Sequence, residues 1–150
     1  MKTENDFNGA LSKKIRALGS GTFSFKASDK MTVGVSDFLI WRGGMTLALE
    51  SKFIASTPSL KAQLLQHPFS GAQLTFLESL ALSGNKAFGL VGIEDKKMMY
   101  LIPWDQIPAS GNWKTADFFS HYEGYTLKWL DVGKLLSLGM AHENRNKPAS

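Results

Sequence analysis

The sequence predicts a single α/β domain with a mixed, four- to five-stranded sheet flanked by helices. Three observations carry this. Apolar residues recur at helical spacing near the N-terminus and again from Ser70 to Ser83. Short alternating or continuous runs of Phe, Ile, Leu and Val lie between and after those stretches. The 150 residues hold no internal repeat and no low-complexity segment, which suits one hydrophobic core.

A first helix is expected from about Glu4 to Leu18, with Thr3 as N-cap, Asp6 three residues on, and Phe7, Leu11, Ile15 and Leu18 as its apolar stripe. Gly19-Ser20-Gly21 stops it. Thr22–Ala27 alternates Phe23 and Phe25 with small or polar residues, a strand pattern. Val35–Trp41 and Met45–Ile54 flank Gly43-Gly44, the signal of a two-residue hairpin. Ser70–Ser83 reads as a second helix, ended by Gly84-Asn85. Ala87–Glu94 is nearly all apolar, the mark of a central strand covered on both faces. A turn at Asp95-Lys96-Lys97 leads to a strand at Met98–Ile102, which Pro103 ends.

The last third is expected to be irregular around Trp113–Tyr125 and helical from about Leu127 to Leu138, with its aromatic residues a candidate dimer surface. The domain is placed at 1–141, and the polar residues 142–150 are expected to form a disordered tail. The phenylalanines, Trp41 and Met98-Met99 are assigned to the core. Trp104, Trp113 and Trp129 are assigned to packing in preference to base stacking.

Composition narrows the function. With no cysteine, disulfides, zinc–thiolate sites, iron–sulfur clusters and a cysteine nucleophile are excluded. No apolar run approaches the roughly 20 residues that span a bilayer, so no membrane is expected as a partner. The polar start lacks the apolar stretch of a secretory leader, which points to a cytoplasmic protein. Seventeen Lys and Arg against thirteen Asp and Glu give a net charge of +4, compatible with a polyanionic partner without requiring one. The sequence carries no Walker-type or dinucleotide glycine motif and no Gly-x-Ser-x-Gly nucleophile turn.

The hairpin concentrates the chemistry. With Gly43 and Gly44 as the turn, facing residues sum to 87, so Phe38 meets Leu49, Ile40 meets Leu47, and Asp37 meets Glu50. Opposed residues share a face with Cβ atoms about 4.5–5.5 Å apart, and two like charges there call for a compensating cation. Strand periodicity returns Lys52 to the face of Glu50. Gln73 is the polar member of a stripe with Phe76, Leu77 and Leu80, and Glu4 heads the stripe of the first helix. Carboxylate oxygens of Asp37 and Glu50 suit Mg²⁺ or Mn²⁺, with the Ser51 carbonyl a further candidate ligand. The chemistry that uses such a set is metal-assisted phosphodiester hydrolysis, with Lys52 orienting the attacking water or neutralising charge on phosphorus.

Asp37, then Glu50-Ser51-Lys52, then a helix bearing Gln73 resembles the PD-(D/E)XK nuclease superfamily. The chain is most similar there to small RecU-like Holliday junction resolvases and to phage and repair endonucleases. The likeness spans roughly Glu4 to Ile102 and includes the strand Ala87–Ile93. Ser36 stands where a proline often precedes the aspartate, and Ala72 where such resolvases often carry histidine. The resemblance implies a restriction-endonuclease-like core and a Mg²⁺- or Mn²⁺-dependent DNA endonuclease, structure-specific and acting in recombination, repair or phage DNA processing. Asp37 and Glu50 would be metal ligands, joined by Glu4 as the acid of the N-terminal helix. Lys52 would be the catalytic lysine, and Gln73 would support water or phosphate. A homodimer making paired cuts in branched or duplex DNA follows from the same resemblance. Lys13, Lys14, Arg16, Lys26, Lys30, Lys61 and His67 are candidate contacts to the DNA backbone.

Plainer readings stand beside these. Glu50 and Lys52 also fit an ion pair on an exposed strand. Gln73 also fits a capping box with Ser70, Glu4 a favourable charge at a helix N-terminus, and each lysine a solvated surface residue. A noncatalytic nucleic-acid-binding module of the same fold is the alternative to the enzyme.

Overall fold

Thr3 caps the first helix, α1 (Glu4–Arg16), reciprocally: its side chain accepts from Asp6 N, and the Asp6 side chain accepts from Thr3 N. The computed structural model describes residues 1, 3–26, 37–107 and 113–143. Phe7, Leu11 and Ile15 are buried along one face of α1, whereas Leu18, expected to extend the stripe, lies beyond the helix end and is exposed.

The strands are β1 (Thr22–Lys26), β2 (Phe38–Arg42), β3 (Met45–Ile54), β4 (Lys86–Ile93), β5 (Met98–Pro103) and β6 (Thr126–Lys128). They form one sheet in sequence order, antiparallel except for the parallel pair β3–β4. That parallel step needs a crossover, and α2 (Gly71–Leu82) supplies it. Gly43 and Gly44 both take positive φ (56° and 77°), the pattern a tight hairpin demands, and the β2–β3 register pairs Phe38 with Leu49 and Ile40 with Leu47 as the arithmetic requires.

The sheet has six strands where four to five were expected. The extra one, β6, occupies the start of the stretch assigned to a helix from Leu127. Thr126–Lys128 pairs with β5, Leu130 then takes a left-handed conformation (φ 56°), and Asp131 caps the helix that follows, α4 (Val132–Ala141), by accepting from Lys134 N. A short helix, α3 (Thr115–His121), lies in the stretch expected to be irregular. Residues 35–36, assigned to β2, lie outside the described residues, and Asp37 is a bend in front of that strand.

Two cores sandwich the sheet. One side joins Phe7, Leu11 and Ile15 of α1 to Leu47 and Leu49 and to Leu135 and Leu136 of α4. The other joins Ala48, Val91 and Tyr100 to Leu77 of α2 and Phe118 and Tyr122 of α3. Phe118 and Tyr122 are 1% and 0% exposed, and the other Trp, Phe and Tyr side chains described in the last third are half-buried. Trp104, Trp113 and Trp129 are half-buried against the cores, as their packing assignment requires. Phe23, Phe25 and Trp41, assigned to the core, are exposed, because β1 is an edge strand whose outward face no helix covers. His142, assigned to the tail, packs edge-on against Phe88, and its carbonyl accepts from Lys86 Nζ. Residues 144–150 lie outside the described residues.

Candidate active site

Alternation along β3 sends Ser51 to the α1 side of the sheet and Glu50 and Lys52 to the α2 side. Both charged residues are buried, Glu50 at 3% exposure and Lys52 at 8%. An ion pair on an exposed strand therefore does not describe them. Lys52 is not among the residues within salt-bridge distance of a carboxylate; its Nζ lies 5.4 Å from the Phe69 ring centroid, a cation–π contact that shelters the charge.

The β2–β3 ladder stops at Phe38–Leu49, one residue short of an Asp37–Glu50 pair. Asp37 reaches the same place from its bend. Where β2 ends, the Ser51 N–H that would have continued the ladder donates to Asp37 Oδ2 at 2.8 Å, and Ser51 Oγ donates to the same oxygen at 3.0 Å. Ser51 Oγ also lies 2.5 Å from the side-chain amide of Asn8, a residue 4% exposed on α1. A hydroxyl has one proton, so it serves the carboxylate when the Asn8 amide is turned to donate to it. Sequence reasoning missed Asn8. The signal was present: it follows Glu4 by one helical turn and shares the helix face of Leu11 and Ile15, a polar residue where an apolar one belongs.

Glu50 is held from the other side. Gln73 Nε2 donates to Glu50 Oε1 at 2.6 Å. The same amide closes the α2 capping box: its Oε1 accepts from Ser70 N at 2.8 Å, while Gln73 N donates to Ser70 Oγ at 3.1 Å. Capping and a site contact are thus both present, because the two ends of one amide serve them separately.

Burial pushes the Glu50 carboxyl up to about 9, with the neighbouring Asp37 carboxylate raising it further by charge and hydrogen bonding, Lys52 lowering it and Glu4 raising it. The reason is visible in the bonding. Glu50 Oε2 is buried with no hydrogen-bond partner, and a negative charge there is further opposed by Asp37. Two acids so placed share one proton or need a cation between them. The donor set fits a hard divalent ion, which takes one or two protein carboxylates and keeps several waters. Among the described residues, no three His, Asp or Glu side chains converge closely enough for an all-protein cage, so Glu4 contributes charge nearby without joining the other two in such a set. Of Ser51, it is the N–H and hydroxyl that are engaged, both on Asp37.

A cavity of about 270 Å³ is lined by Lys52 and Glu4, with Gln63, Gln66 and His67 among others, and by neither acid of the pair. Its outer wall is tied down by Thr57, which donates through N and Oγ1 to Asp95, and by Leu64 N, which donates to Trp113 O. His67 and Lys61 are exposed. Lys13, Lys14 and Arg16 occupy the last turn of α1, about 14–18 Å along the axis from Glu4 at 1.5 Å per residue, and are not brought to the acids. Lys26 ends β1, and Lys30 lies outside the described residues.

No protein family's sequence model matches the chain, and no curated protein matches it. A solved structure that does match is Hjc, a Holliday junction resolvase from the archaeal hyperthermophile Archaeoglobus fulgidus, with a TM-score of 0.45 and 17% identity, covering 68% of this chain and 74% of that one. No helix among the described residues is long and apolar enough to cross a membrane.

Proposed function

We propose that this protein is a Mg²⁺- or Mn²⁺-dependent endonuclease that hydrolyses DNA phosphodiester bonds, structure-specific in the manner of a junction resolvase, and working as a homodimer in recombination, repair or phage DNA processing. One observation carries the reading: Glu50, buried near Asp37 with an oxygen that has no partner, shares a strand face with Lys52, a buried lysine that lines a cavity. A fold does not build two like charges and a lysine into its interior for stability, since each costs several kcal/mol to desolvate.

Asp37 and Glu50 would hold the ion. When bound, it would polarise the phosphoryl oxygen and lower the pKa of a coordinated water. The chain's own residues do the remaining work. Ser51 fixes Asp37 through two hydrogen bonds, and Asn8 fixes Ser51. Gln73 fixes Glu50 and is itself fixed by the start of α2. Lys52, sheltered by Phe69, presents a cation to the phosphate that enters the cavity and stabilises the charge that builds on it. His67, which lines the cavity, and Lys61 would meet the DNA backbone, with Lys13, Lys14 and Arg16 further along the same helix as Glu4.

The test is cleavage of branched, duplex and single-stranded DNA with Mg²⁺, Mn²⁺ or EDTA, beside Glu50→Ala and Lys52→Ala. Cleavage lost on chelation and in either variant supports the reading. Binding indifferent to metal, with no cleavage of any substrate, makes the protein a noncatalytic nucleic-acid-binding module; cleavage that survives both substitutions places the chemistry elsewhere.

A further inference from the structure

The nuclease reading leaves unused the exposed aromatic residues of the sheet edge. Phe23 is 67% exposed, Phe25 52% and Trp41 38%. Phe23 and Trp41 are register partners on β1 and β2, with ring centroids 5.4 Å apart and planes at 45°. Trp41 is paired in turn with Thr46 of β3, which shares its face with Ala48, Glu50 and Lys52. The aromatic pair and the acid pair therefore look out from one side of the sheet. α2 packs over β3 and β4 and leaves β1 bare on that side.

Beside the rings is a pocket of about 320 Å³, lined by Phe23, Trp41, Arg42 and the backbone of the turns at Gly21 and at Gly43-Gly44. No acidic residue lines it, and Arg42, next along β2 from Trp41, turns its side chain to the other face of the sheet. Flat, exposed aromatic faces with no negative charge among the lining residues match an unpaired nucleotide base. Trp41 lies four residues from Asp37 along β2, about 13 Å at 3.3 Å per residue, or about four stacked nucleotides at 3.4 Å each.

Resting on the nuclease reading, we infer that this pocket holds an unpaired nucleotide of the substrate strand, with the base stacked on Phe23 and Trp41. The preferred substrate then carries a single-stranded stretch or unpaired bases a few nucleotides from the cut. Stacking needs a π-face that paired bases keep inside the duplex, so the pocket discriminates by strandedness and reads no sequence.

The experiment measures equilibrium binding in EDTA, where nothing is cut, of a short fluorescent oligothymidylate and of a blunt duplex. The proteins compared are the wild type, Phe23→Ala, Trp41→Ala and Trp41→Phe, with sedimentation of each. Both alanine variants alter exposed side chains and keep the fold. The expected result is a loss of about 5- to 150-fold in affinity for the oligothymidylate from each alanine variant, as one stacked base is worth. Trp41→Phe restores most of it, and duplex affinity is unchanged. Equal losses on both DNAs, or no loss on either, overturn the inference. A dimer that dissociates in the alanine variants while oligothymidylate affinity holds also overturns it, making the edge a contact with a second copy of the chain. If the wild type cuts duplex DNA with metal yet the variants bind oligothymidylate normally, only this inference fails. If the wild type neither binds nor cuts any DNA, the nuclease reading fails with it.

Discussion

Replacing Glu50 by glutamine isolates the proton on which the proposed metal site turns. Glutamine keeps an oxygen to accept from Gln73 Nε2 and places an N–H toward Asp37, so the variant mimics the protonated glutamate without its titration. In the wild type, burial beside Asp37 raises the carboxyl from 4.5 in the unfolded chain to about 9. Between those values the folded protein holds a proton that the unfolded chain has released. Stability must then fall as pH rises, by about 1.4 kcal/mol per pH unit, and be greatest below pH about 4.5 as far as this group is concerned. From pH 5.5 to pH 8.5 the wild type should lose about 4 kcal/mol relative to Glu50→Gln, other groups titrating alike in both. Urea unfolding in EDTA across that range measures the difference. Saturating Mn²⁺ should offset much of it: at a hundred times its Kd the ion stabilises by about 2.7 kcal/mol the protein that binds it, and the glutamine variant gains far less. Parallel pH curves for the two proteins in EDTA would refute the shared-proton account, and equal gains from Mn²⁺ would refute the acid pair as its site.

Other expectations follow from the same geometry. Lys52→Ala should cut cleavage by about 10²–10³-fold while leaving DNA affinity within a few-fold, measured by single-turnover cleavage beside a binding titration. Ser51→Ala removes one of the two donors to Asp37 and strands the buried Asn8 amide, so it should cost about 1–3 kcal/mol in urea unfolding and slow cleavage as well. Ser70→Ala should cost about 1 kcal/mol in urea unfolding as a lost cap, and should leave cleavage within a few-fold, because the Ser70 N–H still donates to Gln73 Oε1. Gly92→Ala places a Cβ 2.5 Å from Phe7 Cζ; that ring is wedged between Phe53 and Trp129 at 5.6 and 5.3 Å, so it cannot give way, and a loss of about 1–3 kcal/mol should appear in chemical unfolding.

What could be read from the sequence was whatever a local rule decides. The glycine pair allows one hairpin register, and that register puts Phe38, Ile40, Leu47 and Leu49 on one face with no further information. Thr3 with Asp6 and Ser70 with Gln73 fix two helix starts through contacts that span three residues. The errors arise where a distant part of the chain decides. Leu127 has a helix former's side chain, but β5 offers Thr126–Lys128 an open edge, and the backbone pairing wins over propensity. Phe23 and Phe25 alternate as a half-buried strand should, yet the face they present is covered only if a helix arrives there, and α2 packs further along the sheet. Periodicity identifies which residues share a face and is silent on what covers it.

The site divides in the same way, and the division explains why its parts differ in how firmly each is held. Glu50 and Lys52 are placed by strand alternation, which no neighbour can change without a slip that would turn Leu47 and Leu49 out of their core. Asp37 has no such guarantee. It sits in a bend beyond the last ladder pair, and its carboxylate reaches Glu50 only because Ser51 donates to it twice and Asn8 of a different element backs that serine. The acid pair is therefore a rigid member and an adjustable one. A charge repulsion between them is relieved by moving Asp37, and the side chains that prevent this movement, Ser51 and Asn8, become part of the site although neither is acidic or basic. This is also why a search for charged patterns alone finds Asp37, Glu50 and Lys52 and passes over the buried Asn8 amide behind the serine that holds Asp37.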